Sequence, residues 1–133
     1  MRASGHPVLT LRMAPLVGPT SPFWHRLGAG GSLPRGGRTL LRPVAEADVV
    51  ESMHRALVGA ARWTGWFEAC GVETWSLAEL AEFARRRAHT LRPATWEPPV
   101  EVLLAQRLPE PDPWLDHFGL APGSLAAQAQ SWS

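Results

Sequence analysis

The stretch EADVVESMHRALVGAARWTGWFEACG, residues 46–71, decides how the chain is read. Its apolar residues fall at Val49, Met53, Ala56, Ala60, Trp63, Phe67 and Cys70, steps of three and four that keep one stripe on one face of an α-helix. Glu46 and Asp48 stand in the first turn, where carboxylates suit the positive end of the helix dipole, and Gly71 follows as a stop. Gly59 and Gly65 each cost about 1 kcal/mol against Ala, so the helix needs packing partners or kinks near Thr64-Gly65.

Downstream, Ser76-Leu-Ala-Glu79 has the spacing of a capping box, with Trp75 and Leu80 placed as a hydrophobic staple. Leu77, Leu80, Ala81, Ala84, Ala88 and Leu91 share one face up to Pro93. Only a few residues separate Cys70 from Ser76, so the two helices are expected as an antiparallel hairpin. Pro98-Pro99 opens a third helix through Leu103, Leu104 and Arg107. Asp112-Pro113 opens a short one closed by Gly119, and Ser124 caps a last segment. No alternating strand pattern and no repeat stand out. The expected fold is therefore all-α, a small helical domain over residues 44–130.

The residues before it read differently. Thirteen of the first 43 are Gly or Pro, and residues 1–44 carry six Arg and no acid, whereas residues 45–133 carry seven Arg against twelve Asp and Glu. Residues 1–43 are accordingly expected to be a disordered basic arm. Three origins compete for it: a tail or an over-called start, a nucleic-acid arm, and a targeting segment. Val8 to Val17, the best signal-like run, is broken by Arg12 and Pro15, and no window is long and apolar enough to span a membrane. The reading is thus of a cytoplasmic protein. The whole chain, 133 residues, contains no Lys, Asn, Ile or Tyr, an alphabet that GC-rich coding explains without function.

Few residues suggest chemistry. Cys70 is the sole cysteine, which excludes an intramolecular disulfide, and its place on the apolar stripe favours a buried structural thiol. Glu51-Ser-Met-His54 has the Glu-x-x-His spacing of di-iron bundles but no second copy, and Arg55 is a ready partner for Glu51. Gly31-Ser-Leu-Pro-Arg-Gly36-Gly37-Arg38-Thr39 echoes a phosphate-binding loop but has Gly37 where the lysine belongs. No metal, cofactor or catalytic group is expected, so the chain is read as a non-enzyme.

Arg85, Arg86 and Arg87, with Arg92 nearby, form the densest cationic cluster and suit nucleic-acid phosphates. Residues 115–125 resemble the helix-turn-helix spacing, but the would-be reading helix, Ser124 to Trp132, has no Arg or Lys. Trp114, Leu115 and Phe118, with Trp63 and Trp66, suit instead a surface for a protein partner or for self-association. The function expected is that of a small helical accessory protein, DNA-associated or regulatory. Its alternatives are a protein-interaction or homo-oligomeric module, and a reading frame of GC-rich DNA with no evolved function.

Overall fold

A computed structural model describes residues 7–30, 32–87 and 107–132. The chain enters as a strand. Leu9–Met13 (β1) runs on through Leu16–Val17 (β2), so that one extended run serves two partners. A Ser21-Pro22 start then opens helix α1, Pro22–Gly28, in which the Ser21 hydroxyl accepts from the Trp24 N–H at 3.2 Å. After a tight turn at Pro34–Gly37 come Leu40–Leu41 (β3) and Val44–Ala45 (β4), and then helix α2, Glu46–Leu57.

Strand β5, Gly65–Ala69, lies parallel to β1, pairing Leu9 with Gly65 through Met13 with Ala69. Strand β4 lies parallel to β2, and β3 runs antiparallel to Trp75–Ser76 (β6). Helix α3, Leu77–Arg86, follows β6 directly, and the short helices α4, Asp112–Phe118, and α5, Leu125–Ala129, complete the described residues.

The expected all-α fold is therefore corrected to a mixed one, with two parallel strand pairs and one antiparallel pair. The error began in the opening stretch. Its helix stops at Leu57, and Gly59 takes a left-handed backbone (φ 81°) that breaks the hydrogen-bond ladder. Gly65 to Ala69 then extends as a strand in which Phe67 and Ala69 turn inward. Five residues ending a helical stripe also fit a half-buried strand, and periodicity alone does not separate the two over so short a run. With β5 and β6 intervening, α2 and α3 form no hairpin.

The expected arm, residues 1–43, carries packed elements where it is described, at residues 7–30 and 32–43. Phe23, Trp24 and Leu27 of α1 are buried in a first core with Val17, Leu41, Leu77, Leu80, Ala84 and Leu125. Trp24 meets Phe83 and Trp132 edge-on at 5.6 and 5.2 Å. A second core joins Val44, Val49, Ala56, Ala69, Trp114 and Phe118, with Leu9, Leu11 and Phe67 packed against it.

Several local signals read from the sequence are present. Ser76 and Glu79 form the capping box, the hydroxyl accepting from the Glu79 N–H at 3.1 Å and the carboxylate from the Ser76 N–H at 2.9 Å. Gly119 closes α4 in the left-handed conformation, and Ser124 caps α5 by accepting from the Ala127 N–H. Asp112 differs: it is the first helical residue, and its side chain caps nothing. The helix expected from Pro98 onward lies outside the described residues, all but its last residue, Arg107.

Candidate functional site

In open parallel α/β arrangements ligands sit beyond the carboxyl ends of the strands. Here the ends of β4 and β5 lead into a crevice lined by Pro43, Ala45, Asp48, Gly71, Glu73 and Gln128. Its free space is about 10 Å³, room for about one water. Helix α5 closes it: the Glu73 carboxylate accepts from the Leu125 N–H at 2.7 Å, and the Gln128 amide donates to Asp48 at 3.1 Å. Burial raises the Asp48 carboxyl above the ordinary aspartate range, and the Gln128 hydrogen bond acts against that rise. A nucleotide does not fit there. The crevice is a seat for the chain's own C-terminal helix.

A second polar feature lies on the acid-free part of the chain, residues 1–45. The turn Pro34–Gly37 holds Arg35 in the left-handed region (φ 52°, ψ 29°), the one described non-glycine residue with a positive φ. That conformation costs an ordinary side chain about 1–2 kcal/mol, and such strain gathers at sites of function. Arg38 uses its Nε to donate to the Arg35 carbonyl at 3.1 Å, which draws the two residues together at one turn. Both are exposed, and the first carboxylate of the chain is Glu46. Two exposed arginines therefore share one strained turn.

The residues singled out from sequence are placed elsewhere. Arg85 and Arg86 both pair with Glu82, Arg86 at 3.4 Å. Arg87 lies over the Phe83 ring, 5.8 Å from its centroid, and donates to the Ala129 carbonyl. Each thus has a partner on α3 or α5. Arg92 lies outside the described residues. Trp114 and Phe118, expected on an interaction surface, are inside the second core, and Leu115 is half-buried, because α4 turns its aromatic side toward Phe67 of β5. Trp63 and Trp66 are about half exposed, in the loop after α2 and on β5 rather than on a helix. The helix-turn-helix spacing does not build that motif, since α4 packs in the second core and α5 in the first.

Among the described residues no three His, Cys, Asp or Glu side chains come together as metal ligands, and no helix is long and apolar enough to cross a membrane. Glu51 pairs with Arg55 at 2.8 Å. Cys70 is buried just past β5. Burial, helped by the Glu68 carboxylate, pushes its thiol up to about 12, which makes it inert at neutral pH. The sequence marks the Gly31–Thr39 stretch only as an echo of a phosphate-binding loop, and nothing in it marks Arg35 as left-handed. The strand and helix before residue 43 were partly legible: Ser21-Pro22 has the same start signature that located α4.

No family model matches the chain, and no curated protein matches it. Solved structures do. The Bordetella bronchiseptica enzyme WbmG, crystallised with NAD and UDP, superposes on 89% of this chain with a TM-score of 0.57 at 22% identity. The same enzyme with NAD alone gives 0.53 at 21% identity over 89%. The chain spans about two-fifths of the length of these structures. This overturns the reading of a small helical, DNA-associated accessory protein at the level of fold: the chain is similar in fold to part of an enzyme crystallised with NAD.

Proposed function

We propose that this chain is the part of an NAD-dependent enzyme fold that receives a uridine-diphosphate type of ligand, with Arg35 and Arg38 facing the diphosphate. The observation that carries the reading is the strained, exposed arginine turn in a segment without carboxylates, on a fold resembling part of an enzyme crystallised with NAD and UDP. Charge-assisted hydrogen bonds to phosphate contribute about 1.5–3 kcal/mol each when desolvated, and less at an exposed turn.

NAD fits the described residues poorly. A dinucleotide cradle needs a Gly-x-Gly-x-x-Gly turn between a strand and a helix. The 133 residues contain no such motif, and their glycine-rich stretch follows α1 and ends in a turn of four residues. The pairing of ligand to chain is therefore with the diphosphate and not the dinucleotide.

Calorimetric titration of the chain with UDP, and separately with NAD, tests this. Saturable UDP binding that weakens about tenfold in Arg35→Gly and falls with added salt is the expected result. The same variant relieves the backbone strain, so the fold gains about 0.5 kcal/mol while binding is lost. UDP binding unaffected by Arg35→Gly, or none at all, would overturn the proposal.

A further inference from the structure

The parallel pair β1 and β5 has one edge in use. The Gly65 N–H donates to the Val8 carbonyl at 3.2 Å and the Ala14 N–H to the Ala69 carbonyl at 2.9 Å. With the register between them, the backbone groups of Thr10 and Arg12 are committed to β5 as well. Neighbouring residues of an extended strand direct their groups to opposite sides. Leu9, Leu11 and Met13 therefore hold their amides and carbonyls along the other edge of β1, where no strand among the described residues takes them.

The Pro15 carbonyl, in phase with Leu9, Leu11 and Met13, accepts from the Val44 N–H of β4, and helix α2 follows β4 directly, so α2 starts from that edge of the sheet. One flank is held by α4: the Arg55 guanidinium donates to the carbonyls of Phe118 and Gly119 at 2.8 and 2.6 Å, and Phe118 packs on Phe67 of β5. At about 100° per residue, Val50, Met53 and Leu57 fall in a sector about 60° wide, opposite Arg55. They are 64, 52 and 72% exposed. Single exposed apolar residues are ordinary, but three on one stripe of the helix that follows β4, together with an unpaired strand edge on the side of β4, are two faces that one partner could cover.

We infer that this face seats a parallel α/β unit of the dinucleotide-binding kind, which adds a strand alongside β1 and lays a helix against Val50, Met53 and Leu57. Parallel strands occur in sheets covered by crossover helices, so a strand offered in this sheet brings its helix with it. The matched solved enzyme holds NAD and has about three-fifths of its length outside the match, whereas the residues of this chain do not fit NAD. The missing fit and the open face call for the same occupant. The inference rests on the fold likeness and on the absent dinucleotide cradle, not on the arginine turn.

The probe is the WbmG polypeptide without the region that this chain matches, mixed with the 133-residue chain and NAD. Amide exchange is followed by NMR. Docking slows the Leu9, Leu11 and Met13 amides about tenfold or more. The double variant Val50→Glu, Leu57→Glu, whose thermal midpoint alone equals that of the parent, removes the slowing. No slowing, slowing that survives the double variant, or slowing that appears in the chain alone as its concentration rises, the sign of a second copy, overturns the inference. UDP titration of the same samples keeps the two proposals apart: UDP binding without docking sinks only this one, and docking without UDP binding sinks only the diphosphate reading.

Discussion

The two cores differ in how they are closed. The first packs α1 against α3 and is sealed on its far side by α5 and Trp132, with Trp24 at 2% exposure between Phe83 and Trp132. The second packs α2 and α4 on one face of β1 and β5, leaves one edge of β1 unpaired among the described residues, and leaves an apolar stripe of α2 exposed. A helix pair satisfies its backbone internally and closes wherever apolar faces meet. A parallel strand pair keeps hydrogen-bonding groups on its outer edges, and it closes only when further strands arrive. The first core is thus closed by its own helices, whereas the second keeps an open strand edge among the described residues.

Substitutions sharpen that contrast. Trp24→Ala empties the middle of the sealed core and is expected to cost about 3–5 kcal/mol, read as a drop in urea midpoint or as loss of the folded state. A loss under 1 kcal/mol would mean that the first core does not carry the fold. Gly71→Ala comes next. Gly71 follows β5 and donates its N–H to the Arg42 carbonyl at 3.1 Å, at the seam between the cores, and a Cβ there would run into the Pro43 carbonyl oxygen. The expected loss is about 1–3 kcal/mol, since backbone and not a flexible side chain stands in the way. Unchanged stability would show that the seam is looser than described.

The smallest effect is at Asp48. Its folded carboxyl is raised above its unfolded value, so the folded state binds the proton more tightly, and the residue costs stability as pH rises through the raised value. Asp48→Asn can keep an acceptor for Gln128 and removes the buried charge, while giving up a carboxylate in the first turn of α2. The balance is a gain of about 0.5 kcal/mol or less near neutral pH, which fades as pH falls to where Asp48 is protonated in both states. A gain that grows with acid would contradict the cause assigned to the shift.

The same contrast explains what the sequence made legible. Ser76 with Glu79, Ser124, and Gly119 are local devices whose partners lie within three or four residues, and each is where the spacing predicts it. Strands β2, β3, β4 and β6 have two residues each, too short for any alternation, and their partners are 28 to 36 residues away. Strand β1, Leu-Thr-Leu-Arg-Met, does alternate, but it sits among the glycines and prolines that suggested a tail. The arginine turn is visible in the sequence as a glycine-rich echo of a phosphate-binding loop, but its strain is not, because that signal is a backbone angle.

The most direct test is the exchange pattern along β1 in the isolated chain. Pairing with β5 on one edge alone predicts alternation: slow amides at Thr10 and Arg12, and fast ones at Leu9, Leu11 and Met13. Five amides that exchange equally fast would remove the strand pair and with it the mixed fold. Five equally slow amides would mean that the outer edge is already paired, and the second core already closed.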